Sequence, residues 1–336
     1  MKKIILSLGI ILLFACQTSK SNKREVQTFT GKAQGTTYMI KYIGEKDETM
    51  PIAVDSLLAA VDTSMSTYNE HSTITALNRG DSAEVDDLFI AVYQLSQKIQ
   101  KETHGAFDPT FAPIIAAWGF DYSDPQAVDS AMVDSLLALC GFHLFELKGN
   151  VLYKKNRGAQ LNFNAVAKGY STDLIAMLLE KQFDVTDYYV ELGGEMVIKG
   201  LNQDHEVWKI GIDKPLGENL GHELYSVVSL TDKALVTSGN YRNFVEINGE
   251  KYSHTINPKT GFPVSHNLLS ATIVAKDAGS ADAVATACMA MGLEKSKDFL
   301  KEYAHKYEGL LIYADEDGKL KTYYTPGLEG KIKEIN

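Results

Sequence analysis

The sequence predicts an α+β protein: a single compact domain with a largely antiparallel sheet, flanking helices and a central ligand cleft. Three observations carry that prediction. Segments with apolar residues at three-and-four spacing are interspersed with short β-branched and aromatic runs, so both kinds of element are expected. Asn248-Gly249 and Asp317-Gly318 sit between strand-like segments and read as hairpin turns, which makes the adjoining strands antiparallel. No clear repeat and no Pro/Gly/Ser-rich linker interrupts the chain after residue 30, so residues 30–330 are read as one body with a cleft between two lobes.

The elements follow in order. Thr36 to Ile43 reads as a strand. A first helix starts at Pro51 behind a Thr49 cap and carries Val54, Leu57, Leu58, Val61 and Met65 on one face. A second runs from Asp86 to near Thr103, with Leu88, Val92, Leu95 and Ile99 aligned. Asp129 to Leu139 is a third, closed by Gly141. Val166 to Lys181, Ser280 to Met291 (ended by Gly292) and Glu294 to His305 complete the helices. Strands are expected at Val151–Lys154, Tyr188–Leu192, Met196–Leu201, Trp208–Ile212, Tyr225–Leu230, Phe244–Ile247, Leu269–Ala275 and Leu310–Ala314.

Composition narrows the function. The 336 residues are 45% hydrophobic and 23% charged, ordinary globular values that exclude a disordered chain. A net charge of −10 argues against nucleic acid, whose phosphates call for a clustered basic face. Three cysteines cannot make a disulfide framework, and a core this large does not need one.

The N-terminus reads as an address. Lys2 and Lys3 precede an apolar run from Ile4 to Phe14, too short to span a bilayer. Leu13-Phe14-Ala15-Cys16 resembles a bacterial lipobox, so residues 1–15 are expected to be a signal peptide and Cys16 the lipidated first residue of the mature chain; the plainer alternative is an ordinary signal peptide with a coincidental cysteine. Residues 16–29 would then be a lipidated tether. The expected location is the cell envelope, membrane-anchored and facing the periplasm. Cys140 and Cys288 lie in apolar stretches and read as buried thiols, with a disulfide between them left open.

Several segments exceed what helices and hairpins need. Residues 104–120 form an aromatic and proline-rich loop, suited either to packing or to a flat conjugated ligand. Lys168 falls in the first turn of the fourth helix, where the dipole disfavours a cation. That placement points to an anionic partner there; the plainer alternative is a solvated lysine with Asn164 as N-cap. Leu192-Gly193-Gly194-Glu195 allows a close backbone approach or makes a bulge. Residues 237–243 and 251–261 concentrate donors that could hold a polyphosphate or satisfy their own turns. Asp282 and Thr286 share a helix face and offer hard oxygen ligands for Mg²⁺, although such a pair is common on helix surfaces. There is no zinc spacing, P-loop, G-x-G-x-x-G or G-x-S-x-G.

Taken together, these segments resemble one known family. Gln34-Gly35-Thr36-Thr37-Tyr38, Met65-Ser66-Thr67-Tyr68, Phe107-Asp108-Pro109-Thr110 with Trp118-Gly119-Phe120, and Asn164-Ala165-Val166-Ala167-Lys168-Gly169-Tyr170 come first. Glu191-Leu192-Gly193-Gly194-Glu195, Thr237-Ser238-Gly239-Asn240-Tyr241-Arg242-Asn243, Tyr252-Ser253-His254-Thr255-Ile256-Asn257-Pro258 and Ala281-Asp282-Ala283-Val284-Ala285-Thr286-Ala287 follow. Eight collinear motifs over residues 30–325 resemble the ApbE family of FAD:protein FMN transferases.

The resemblance implies an α+β flavin transferase domain that moves FMN from FAD to a threonine or serine hydroxyl of a partner protein, with Mg²⁺ and release of AMP. It implies FAD contacts at Gln34, Tyr68, Ala106, Phe107, Asp108, Asn162, Lys168 and Ile256. The implied metal ligands are Ala165, through its carbonyl, Asp282 and Thr286. Implied acceptors are redox subunits of the Na⁺-pumping NADH:quinone reductase (Nqr) and Rnf type. Gln34 stands where a methionine is frequent, Asn162 where an aspartate is frequent, and Ala285 where some members place a third metal-site carboxylate.

The chemistry agrees with those residues. Attack of a hydroxyl on the FMN-side phosphorus requires charge neutralisation on the pyrophosphate and activation of a weak nucleophile. Asp282 would orient the metal and could accept the proton, while Arg242, Lys168 and His254 are candidates for stabilising phosphate charge. Asp282, His254 and Arg242 are therefore the expected catalytic residues. Two rivals keep part of this reading: an FAD pyrophosphatase using water as acceptor, and a flavin-binding lipoprotein without turnover. No segment resembles a flavinylation sequence, so the acceptor is expected to be another chain.

Overall fold

Inward-facing apolar residues alternate along most of the strands, and that alternation builds the core. A computed structural model describes residues 24–120, 126, 128–215, 223–239, 244–247, 250–253 and 255–335. The chain opens with a hairpin of β1 (Val26–Ala33) and β2 (Thr36–Ile43), followed by α1 (Met50–Met65), α2 (Thr73–Arg79), β3 (Ser82–Glu84) and α3 (Asp87–Glu102). Short α4 (Ala112–Ala117) and α5 (Ser130–Leu137) precede β4 (Phe145–Lys148) and β5 (Val151–Lys154). Next come α6 (Ala167–Phe183), β6 (Tyr188–Leu192), β7 (Glu195–Lys199), β8 (Trp208–Asp213), β9 (Leu224–Leu230) and β10 (Lys233–Gly239). A hairpin of β11 (Phe244–Ile247) and β12 (Glu250–Ser253) leads to β13 (Leu268–Ala275). The chain closes with α7 (Ala278–Met291), α8 (Leu293–Glu302), β14 (Glu308–Ala314), β15 (Leu320–Tyr324) and β16 (Ile332–Glu334).

Eight strands form one antiparallel sheet in the order β1-β2-β6-β7-β10-β13-β14-β15. Its two faces are covered differently, and single residues show how. Val236, Ala271, Ile273 and Leu311 pack with α3 and α7 in the main core. Their neighbours Leu235, Val274, Leu310 and Ile312 point the other way, against Trp208, Ile210 and Val228 of the small sheet β16-β9-β8. At the other end α1 and α6 cover β2 and β6 through Val54, Leu58, Ile175, Leu179, Ile40 and Val190. The fold is α+β and single-bodied, as the sequence predicts.

The helix that carries the site is buried all round. Ala281, Ala283, Val284, Ala285, Ala287 and Cys288 of α7 are fully enclosed, as expected of a helix hydrophobic on every side. Its N-terminus is held twice: Asp277 accepts from Ser280 N–H at 2.8 Å, and Asp173 of α6 accepts from Ala278 and Gly279 N–H at 2.7 and 2.8 Å. Asp173→Ala would strand both amides in a buried place, at a cost of about 1–3 kcal/mol. Chemical denaturation should show that loss, with an unchanged midpoint counting against this anchoring.

The structure corrects several expectations. Residues 26–29, expected in a tether spanning 16–29, belong to β1, and Arg24 already pairs with Asp187 at 2.9 Å and donates to the Leu201 and Asn202 carbonyls. The polar composition of that stretch masked it because β1 is an edge strand with one wet face. Residues 233–239, whose end reads as a donor-rich loop, are a central strand paired with β7 and β13. The short helix α2 lacked enough turns to show a period.

Helix ends also differ. Asn164 does not cap α6, which begins at Ala167 after an uncapped Val166, and Thr49 bonds Asp47 rather than the end of α1. The third helix ends at Leu137 with Ala138 as its C-cap, and Gly141 instead opens a following 3₁₀ turn. Cys140 and Cys288 are free and buried in separate clusters, so the pairing left open by the sequence is not made. No helix among the described residues is long and apolar enough to cross a membrane.

Candidate functional site

The site forms where the start of α6 meets the middle of α7 and the first residue of β7. Close approach is what makes this junction. A Cβ on Gly169 would lie 2.3 Å from the Ala278 carbonyl oxygen and 2.8 Å from Asp282 Cβ, so only glycine lets the two helices touch here. The Gly169 N–H, unused at the first turn of α6, donates to Asp282 Oδ2 at 3.1 Å. Asp282 is 4% exposed. Thr286, one turn further along α7, places its hydroxyl 3.5 Å from that of Ser238 on β10.

Lys168 and Glu195 close the junction. The Lys168 ammonium sits 2.7 Å from Glu195 Oε1, and Glu195 is 4% exposed. The anionic partner expected for a lysine at this helix end is, within the described residues, the chain's own Glu195. Glu195 Oε2 is buried without a hydrogen-bond partner among those residues. Burial first, and then the neighbouring Asp282, push the Glu195 carboxyl up to about 7. Burial also raises Asp282, against the opposing pull of Lys168 and the Gly169 amide. Lys168 loses some basicity to burial, but Glu195, Asp282 and Glu191 outweigh that and hold it above the usual lysine value.

These shifts fix a pH dependence of stability for the metal-free protein. Burial is the chief cause that raises Asp173 and Glu195 to about 7, and it raises Asp282 as well. In the unfolded chain such groups lose their protons near pH 4, whereas in the folded protein Asp173 and Glu195 keep them to about 7. The folded state therefore binds more protons in that window, and stability falls as pH rises through it. The lowered carboxylates, Asp187 and Glu180, change their contribution only at lower pH. The melting temperature in EDTA should drop between pH 5 and 7 and then level off; a rise over that range would contradict the buried-acid assignment.

A cavity of about 180 Å³ opens beside Lys168, lined also by Gln34, Met65, Ser66, Tyr68 and Asn164. Three of the expected FAD contacts, Gln34, Tyr68 and Lys168, thus come together although 134 residues separate the first from the last. Asn164 donates to the Tyr68 hydroxyl at 3.0 Å, a contact the sequence reading missed in favour of a cap. Gln34 is held at φ 50° and donates to Ser171 at 2.7 Å, leaving Oε1 buried and unpartnered among the described residues.

The remaining expected contacts lie elsewhere or work differently. Ala106 lines a second cavity, about 240 Å³, with Asn257, Lys259, Met291 and Phe299. Phe107 is 3% exposed with its ring in the main core, so its side chain is structural. Asp108 caps a 3₁₀ turn by accepting from the Thr110 N–H and hydroxyl at 2.9 and 2.6 Å, while burial raises its carboxyl. The Asn162 N–H donates to the Pro109 carbonyl, tying the 162–164 loop to that turn, and Asn162 Oδ1 accepts from Asn164 N–H. Ile256 packs with Phe111, Ile114 and Trp118. Ala165 is half-buried just ahead of α6. Arg242, His254 and Cys16 lie outside the described residues.

The donor chemistry suits a hard divalent cation. No group of three His, Cys, Asp or Glu side chains among the described residues is gathered to hold a metal. What the junction offers is an enclosed carboxylate, a hydroxyl one helical turn away and a second buried carboxylate, with one lysine to offset two acids. Buried negative charge in excess, made of oxygen donors, fits Mg²⁺ better than a softer ion. Glu195 is the residue of this junction to which the sequence reading gave no role. In the sequence it stands within a glycine turn and the Glu191–Glu195 motif with no role of its own, and its depth is invisible without the sheet.

The sequence profile of the ApbE family matches residues 34–311. The chain belongs to the ApbE family. The FAD:protein FMN transferase of Vibrio cholerae serotype O1 is 32% identical over 319 residues, spanning 92% of this chain and 93% of that protein. The Escherichia coli K12 FAD:protein FMN transferase is 30% identical, over 92% of this chain and 90% of its own length. Among solved structures, the flavin transferase ApbE from Vibrio cholerae superposes with a TM-score of 0.80 at 30% identity, covering 91% of this chain and 99% of that one. The apo flavinyl transferase ApbE of Pseudomonas stutzeri gives 0.81 at 30% identity, with 92% and 97% covered.

Proposed function

We propose that this chain is an FAD:protein FMN transferase, acting on FAD and on a threonine or serine hydroxyl of a partner protein. The observation that carries the reading is the buried Asp282–Lys168–Glu195 junction opening onto the Gln34–Tyr68–Asn164 cavity, within a family whose relatives bear that activity as their name. The acceptor oxygen forms a new bond to the FMN-side phosphorus. The bond from that phosphorus to the bridging oxygen breaks, AMP leaves, and the acceptor's proton passes to a base or to solvent.

Each residue has a part in that exchange. Lys168 presents a cation to the pyrophosphate, and Gln34, Tyr68 and Asn164 line the entry. Asp282, Thr286 and the Ala165 carbonyl would hold Mg²⁺, which when bound supplies Lewis acidity and neutralises phosphate charge. Tyr68, 59% exposed, offers a ring face at the rim where a planar ligand can stack. Lipidation at Cys16 would tether the enzyme at the periplasmic membrane surface and raise its encounter rate with membrane-bound redox subunits of the Nqr or Rnf type.

Residues 24–336 with FAD, Mg²⁺ and a candidate acceptor domain test the reading by intact-mass spectrometry. An EDTA-sensitive gain of one FMN on the acceptor is expected. Free FMN and AMP with no adduct on any acceptor would replace the transferase with a pyrophosphatase. FAD left intact throughout would reduce the chain to a binder.

A further inference from the structure

We infer that Glu195 is a positioning residue for the anionic substrate: its carboxylate holds the Lys168 ammonium at the wall of the cavity and sets where the phosphate charge of FAD is received. The inference rests on the flavin reading above and extends it to a residue that the metal and flavin contacts do not include.

The geometry makes Glu195 an unusually rigid anchor. It is the first residue of β7, reached from Leu192 of β6 through a two-residue turn, Gly193-Gly194, with φ of 64° and 105°. That left-handed pair suits glycine alone and matches the twist of the two strands. Gly194 N–H donates to Glu191 at 2.8 Å, which pins the turn again. A Cβ at Gly193 would sit 3.3 Å from Glu195 Oε2 and 2.8 Å from Thr36, so the carboxylate lies packed under the turn. Lys168 is by contrast a long side chain on the first turn of a helix, with four rotatable bonds and no other partner for its ammonium among the described residues.

The pairing is one-sided. Oε1 meets Lys168, whereas Oε2 is buried and unpartnered among the described residues. A purely structural ion pair would be selected to satisfy both oxygens, because an unsatisfied buried acceptor is costly. A carboxylate kept here at that cost belongs to the site rather than to the core. With one N–H of the ammonium engaged by Oε1, the other two remain for phosphate oxygens.

A double-mutant cycle on FAD affinity, read by flavin fluorescence in EDTA without acceptor, isolates this role. Glu195→Ala and Lys168→Met should each weaken FAD binding about tenfold, and the double variant should bind no more weakly than Lys168→Met alone. Glu195→Gln, whose amide oxygen still accepts from Lys168, should recover most of the affinity and keep the fold testable if the alanine variant does not fold. Additive losses, or wild-type affinity in Glu195→Ala, would overturn the positioning role while leaving the flavin reading intact. No FAD binding by the wild-type protein would overturn both.

Discussion

Asp282→Asn is expected to lower FMN transfer about a thousandfold or more, while leaving the metal-free protein as stable as wild type or more stable at neutral pH. The two halves have one cause. An asparagine oxygen still accepts the Gly169 N–H, so the α6–α7 junction is kept. What disappears is a buried negative charge, whose only favourable influences in the described structure are Lys168 and that amide. Glu195, freed from the neighbouring charge that raises it, should titrate lower, and the fall in melting temperature between pH 5 and 7 should flatten. With Asp282 holding Mg²⁺ as proposed above, its loss would remove several kcal/mol of transition-state stabilisation, and about 4 kcal/mol is a thousandfold. Transfer within tenfold of wild type would remove Asp282 from the chemistry. A strongly lowered melting temperature would assign the activity loss to folding.

Gly169→Ala should destabilise the protein by about 2 kcal/mol or more, against the gain of up to about 1 kcal/mol that helix propensity alone would bring. The new methyl would meet the Ala278 carbonyl, a backbone atom that cannot rotate away, and the Cβ of Asp282 itself. The two helices must part, and the site parts with them. Transfer should fall by about a hundredfold, the scale expected when a reacting group is displaced by an ångström. Denaturation and turnover measured on the same preparation check both. A variant as stable and as active as wild type would mean that the junction is looser than its distances say.

Much of the architecture was legible because it is written in local periodicity. The three-and-four spacing of Val54, Leu58 and Val61 and the β-rich run Leu269–Ala275 are signals a reader needs no partner to see. What escaped depended on neighbours. β1 is polar because it is an edge, and Ser238 near the end of β10 turns toward Thr286. Asn164 looked like a cap and instead donates to Tyr68 across 96 positions of sequence.

For the site, ordered motifs marked Asp282, Thr286, Lys168, Gln34 and Tyr68, and the structure gathers them around one helix junction and one cavity. Phe107 was marked by the same motif logic, yet its ring is core. A motif records which residues recur together without saying which face of the backbone they use. The sequence by itself determined the class of the fold, the family and most of the residues that bear charge in the site. Only the tertiary structure decided that Glu195 lies under a glycine turn against Lys168, that Gly169 is the point of contact between two helices, and that the buried acids outnumber the base. Those facts depend on distances between residues far apart in the chain, and it is burial at those distances that moves a carboxyl from an ordinary acid to one still protonated near neutrality.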